Sequence, residues 1–126
     1  GDGKVDILAA TQGGTPGLHV FLNQGDGSFN DATASVVPAT LDDTAVTILY
    51  ADLDGNCVDD LVVLGDMNAP VWLDWSDAQK TFNVMGTIGT SPAAAAAAAD
   101  LDGDLIVDLA LITGGTITVY SAGSAT

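Results

Sequence analysis

Apolar positions along this chain come in short runs of single-strand length, each closed by a cluster of Asp, Asn, Gly or Pro. Asp6–Thr11 is short and apolar. Leu18–Asn23 alternates large side chains and ends in Asn23-Gln24-Gly25-Asp26-Gly27, a dense turn signal. Ala32–Val37 reads as a weaker strand, Thr44–Ala51 is β-branched and apolar, and Leu61–Leu64 is a buried-strand run. A turn through Gly65–Pro70 leads into Val71–Trp75, where Val71, Leu73 and Trp75 share one face and Trp72 and Asp74 the other. Phe82–Ile88 is the next strand. Leu109–Thr113 and Thr116–Ser121 flank Gly114-Gly115, a pair that supplies the positive φ angles of a tight hairpin.

Three segments repeat this order. Gly1-Asp2-Gly3-Lys4-Val5-Asp6 aligns with Asp52-Leu53-Asp54-Gly55-Asn56-Cys57-Val58-Asp59-Asp60 and with Asp100-Leu101-Asp102-Gly103-Asp104-Leu105-Ile106-Val107-Asp108. The closing residues Asp6, Asp60 and Asp108 recur at intervals of 54 and 48. A period near 50 residues suits a four-stranded propeller blade. Ala93–Ala99 is helix-prone by propensity. It nevertheless fills the slot that Thr44–Ala51 fills before the preceding Asp loop, and small residues suit a crowded innermost strand, so a strand is predicted. The fold class expected is all-β: about ten strands in about two and a half four-stranded blades. The first blade lacks its inner strand and the third its outer one. Such a chain cannot close a ring alone, and residues 1–126 are expected to be one propeller fragment, covalently continuous with further blades.

Composition sharpens this picture. Lys plus Arg is 2 against 17 acidic residues, all Asp, and the formal charge is −15. Such a surface cannot neutralise phosphates, which argues against a nucleic-acid partner, and it disfavours an anionic membrane surface. No apolar run is long enough to insert into a membrane. The repeat loops hold 10 of the 17 aspartates, so the charge is focused rather than spread. One cysteine, Cys57, permits no intrachain disulfide.

Crowded carboxylates without a cation repel one another. Calcium takes about six to eight oxygen ligands, and a short loop can surround it when alternate side chains turn inward. The inward set of the second loop is Asp52, Asp54, Asn56, the Val58 carbonyl and Asp60. In the third loop it is Asp100, Asp102, Asp104, the Ile106 carbonyl and Asp108. The first loop retains Asp2, the Lys4 carbonyl and Asp6. An EF-hand is excluded, because its twelfth position would fall on Val63 or Leu111 rather than Glu. Oxygen-only donors favour calcium over zinc, which wants His or Cys, and over magnesium, which demands strict octahedral geometry. Plain Asp-Gly turns are the competing reading of any single loop. His19, the sole histidine, is read as an ordinary strand residue. Trp75 is read as blade core, and Trp72, on the opposite face, as the less favoured candidate for sugar stacking.

The pattern Asp-x-Asp-x-Asp/Asn-x-x-x-Asp-Leu, with the later Asn23-Gln24-Gly25-Asp26-Gly27-Ser28-Phe29 segment, resembles FG-GAP/VCBS-type repeats, the blades of integrin-α-like β-propellers. The resemblance implies a ring of about seven blades, calcium in the strand-connecting loops and an extracellular or cell-surface setting. It implies a non-catalytic role in adhesion or protein recognition, with a protein or glycan partner. A lectin-like propeller and the accessory propeller of a secreted enzyme are the alternatives. The family usually carries Gly after the third ligand. Cys57 and Leu105 stand there instead, and a side chain at a left-handed position is expected to strain the loop.

Overall fold

A computed structural model describes residues 2–12, 17–41 and 45–121. Among the described residues, ten strands form three antiparallel sheets in which neighbours in sequence are neighbours in space, with one helical turn beside them. The first sheet holds β1 (Ile7–Ala10), β2 (Leu18–Asn23) and β3 (Phe29–Asp31). The second is a four-stranded meander of β4 (Ala45–Ala51), β5 (Asp60–Gly65), β6 (Val71–Ser76) and β7 (Thr81–Thr87). The third holds β8 (Ala95–Ala99), β9 (Asp108–Thr113) and β10 (Thr116–Tyr120). These are β-propeller blades. Each Asp loop delivers the chain into β1, β5 or β9; β5 and β9 are interior strands of their sheets, and β1 is an edge of its own.

The run Leu61–Leu64 is apolar throughout because β5 is buried on both faces. Leu61 and Val63 point into a core shared with the first sheet, where Leu18, Val20, Val36, Ala45 and Leu73 meet. Val62 and Leu64 point the other way, onto Leu109 and Leu111 of β9. A strand between two sheets has no solvent face, so period-two alternation disappears. β6 keeps its alternation. Val71, Leu73 and Trp75 face the first core, where Trp75 meets Phe82 edge to face at 5.0 Å and 69°, and Trp72 packs on the second.

The alanine run is a strand over Ala95–Ala99, paired with β9 from Ala95↔Ile112 to Ala99↔Asp108. Its partners outweigh alanine's helix propensity. Ala96 and Ala98 pack on the second core, and their small size lets β8 sit close to β4. Gly114 and Gly115 turn at φ 58° and 82°, both left-handed, and link β9 to β10 as a hairpin. Thr44, expected to open β4, falls outside the described residues.

Ala32–Val37 is not a strand. Thr33–Val36 is one turn of helix, α1, and the outer strand of the first sheet is Phe29–Asp31. Local polar side chains decide this. Asp31 Oδ1 accepts the Thr33 N–H at 3.0 Å, Ser35 Oγ donates to the Ala32 carbonyl at 2.8 Å, and Thr33 Oγ1 accepts the Val20 N–H at 3.0 Å. These bonds offer the backbone an alternative to a sheet ladder, and the turn still buries Val36 and Val37.

Seam burial makes a direct forecast. Leu73 is fully buried in the first core, and Leu73→Ala should lower the unfolding free energy by about 3 kcal/mol. Ile117 on β10 is 68% exposed, and Ile117→Ala should change stability by less than about 0.5 kcal/mol. Urea denaturation of the two variants reads both values.

Candidate metal centre

Asp60 and Asp108 are the first residues of β5 and β9, and they are only 1% and 0% exposed. Each carboxylate reaches back across its loop. Asp60 Oδ2 accepts the Leu53 N–H at 2.9 Å, and Asp108 Oδ2 accepts the Leu101 N–H at 2.8 Å. One side chain thereby fastens the end of one strand to the start of the next.

The two loops share a common frame of bonds. Asp52 Oδ1 accepts Gly55 N–H at 2.8 Å, and Asp100 Oδ1 accepts Gly103 N–H at 2.7 Å. The other oxygen of each takes the N–H of Cys57 at 2.8 Å or of Leu105 at 3.1 Å. Asp54 and Asp102 cap the amides of Asn56 and Asp104, whose own side chains cap Val58 and Ile106. The backbone curls through left-handed angles to do this, at Gly55 and Gly103 but also at Cys57 (φ 66°) and Leu105 (φ 72°). The glycines adopt such angles freely, whereas a residue with a Cβ is strained by about 1–2 kcal/mol. The strain expected at Cys57 and Leu105 is therefore present in both loops.

This curl gathers oxygens. Carboxylate oxygens of Asp52, Asp54 and Asp60 fall within 4.8 Å of one another, and so do those of Asp100, Asp102 and Asp108. Asp104 stands outside its cluster, with Oδ1 on the Ile106 amide at 2.9 Å. The donor sets are hard oxygens. Asp60 Oδ1 is buried with no hydrogen-bond partner, and burial, with Asp54 and Asp74 nearby, pushes the Asp60 carboxyl above its ordinary pKa. A carboxylate so placed fits a cation.

The first loop is spent differently. Asp2 Oδ1 accepts the Lys4 N–H at 3.0 Å, and this bond lowers its pKa. The Lys4 ammonium stands 3.5 Å from Asp2 and donates to the Gln24 carbonyl at 3.2 Å. Asp6 Oδ1 accepts the Asn23 N–H at 2.9 Å, and Asn23 Nδ2 returns a bond to the Val5 carbonyl. Among the described residues Asp2 and Asp6 are not brought into a carboxylate cluster. His19 is a half-buried residue of β2 opposite Ala9. Sequence reasoning missed the Leu53 and Leu101 amides and the approach of Asp74 and Trp72 to Asp60, which depend on cross-strand register.

Two forecasts follow from this geometry. The raised pKa of Asp60 means that its contribution to metal-free stability is complete below the unfolded-state value near about 4 and is lost as pH rises through the folded-state value. In EDTA, Asp60→Asn should therefore match or exceed the parent in stability at pH 7, with the advantage gone at pH 3.5. Leu105→Gly should stabilise the protein by about 0.5–1 kcal/mol, the left-handed strain relieved less the entropy cost of glycine. Denaturant titrations measure both.

A family model of the FG-GAP-like repeat matches residues 1–63, half of the chain. No curated protein and no solved structure matches it significantly. The matched stretch runs from the first Asp loop through the second and into β5, and the third loop repeats the second in bonding. Among the described residues no helix is long and apolar enough to cross a membrane. With sheets that are propeller blades and a matching repeat over half its length, the chain belongs to the FG-GAP-like repeat family.

Proposed function

We propose that this chain is a calcium-binding, non-catalytic β-propeller segment, continued by further blades, that serves adhesion or protein recognition at the cell surface or outside the cell. One observation carries the reading: two loops with the same bonding frame each bring three carboxylates together and end on a fully buried aspartate. Asp52, Asp54, Asn56, the Val58 carbonyl and Asp60 would hold one ion, and Asp100, Asp102, Asp104, the Ile106 carbonyl and Asp108 a second. Asp2, the Lys4 carbonyl and Asp6 take the matching positions in the first loop. Bound calcium supplies the positive charge that the crowded carboxylates lack. Its role is architectural, because each loop joins two paired strands of one sheet and leaves no hinge between them.

Continuation into further blades is supported by the third sheet. Its face away from the second sheet exposes Ala95, Ala97, Ile112, Ile117 and Val119, with no charge among them, on a chain of formal charge −15. Within the molecule, the equivalent face of the second sheet is covered by the third. Membership in the FG-GAP-like repeat family supports the extracellular setting and the absence of a reaction centre.

Calcium at 10 mM should raise the Tm by about 10 °C, from about 1.4 kcal/mol per loop at a Kd of about 1 mM. EDTA should reverse the shift, and magnesium should give a smaller one. Asp60→Asn and Asp108→Asn should each remove about half of it. Differential scanning calorimetry with no calcium-dependent shift, together with no heat in isothermal titration, would defeat the proposal.

A further inference from the structure

Two buried polar atoms at the seam between the second and third sheets have no hydrogen-bond partner: Oδ1 of Asp60, an acceptor, and Nε1 of Trp72, a donor. Register places them beside each other. Asp60 and Val62 share a face of β5, and Trp72 on β6 pairs with Val62. Trp72 is thus the diagonal cross-strand neighbour of Asp60, within reach of a long aromatic side chain. In the β6–β7 pairing a register shift falls between Trp72 and Leu73, and such bulges re-aim the side chain beside them. The other oxygen of Asp60 is already taken by the Leu53 amide at 2.9 Å. An indole N–H is a donor only, and a carboxylate has about four acceptor sites, so a bond from Trp72 leaves lone pairs facing the loop.

We propose that Trp72 is a positioning residue for the 52–60 loop: its unpartnered indole N–H, one diagonal step from the equally unpartnered Asp60 Oδ1, closes onto that oxygen when the loop takes up calcium and orients the carboxylate from behind the cluster. The affinity of this loop for calcium then depends on a residue that touches no ion. The inference rests on the calcium reading above. At the matching register position of the 100–108 loop stands Val119, which pairs with Ala110 as Trp72 pairs with Val62 and has no side-chain donor. Partners that orient a metal-ligating carboxylate are worth about 10–100-fold in affinity, so the dependence is large and confined to one loop. The molecule carries its own control.

The test is a calcium titration of the whole chain followed by NMR, with the Gly55 and Gly103 amides reporting the two loops separately. Trp72→Phe keeps the ring and removes the N–H. It should weaken calcium binding at Gly55 about tenfold or more and leave Gly103 unchanged. In the parent protein the Trp72 indole resonance should shift with the Gly55 amide. The Trp75 indole, which donates to Asp77 Oδ1 at 3.1 Å, should stay still. If both loops of Trp72→Phe bind as in the parent, or if the Trp72 indole signal ignores calcium, the positioning role is wrong and the calcium reading survives. If neither glycine amide of the parent responds to calcium, both fall. A Trp72→Phe chain that does not fold leaves the decision to the indole resonances of the parent.

Discussion

A carboxylate buried at the head of a central strand is the constraint around which this protein is arranged. Asp60 opens a strand packed between two sheets and Asp108 one packed against the second sheet, and both side chains are closed off from water. A buried charge must be compensated. The amides of Leu53 and Leu101 supply part of that compensation and also tie each loop shut. The left-handed turns at Cys57 and Leu105 make sense in this light. They are strained, and Leu105 is 91% exposed with nothing to gain from packing, yet each places its amide on the first aspartate of its loop. Strain at such positions persists only where surrounding bonds over-determine the conformation.

The same burial couples the loops to the seams between sheets. Asp60 lies on the face of β5 that carries Val62 and Leu64 into the second core, so the end of the acidic loop and the apolar packing are consecutive parts of one strand. Whatever orders the loop orders the seam. The alanine strand serves the same geometry from the other side, since Ala96 and Ala98 allow the third sheet to approach the second without large side chains intervening.

Most of the fold was legible because its signals are local. The second and third Asp loops span nine residues each, and their carboxylates are bonded to amides a few positions away, so spacing alone implied the curl. The Gly114-Gly115 hairpin and the two faces of Val71–Trp75 were legible for the same reason. Where local polar bonding opposed the apolar pattern, the pattern misled. Val36 and Val37 suggested a strand, but Asp31, Thr33 and Ser35 side chains bind the nearby backbone and close a helical turn. In the first loop, bonds from a distant segment add to the local ones. Asp6 looks like Asp60 in sequence, yet its carboxylate is held by Asn23, which the β1–β2 pairing brings alongside from 17 residues away.

Residue order was enough to establish strands, turns and the identity of the acidic loops, because each depends on dihedral preferences and hydrogen bonds within about ten positions. It could not establish which aspartates are buried, which are consumed by neighbours, or that Trp72 lies diagonally across from Asp60 on the adjoining strand. Those outcomes belong to register and to the stacking of one sheet on the next. Both are set by summed side-chain packing between segments far apart in the chain, and no local pattern records that sum.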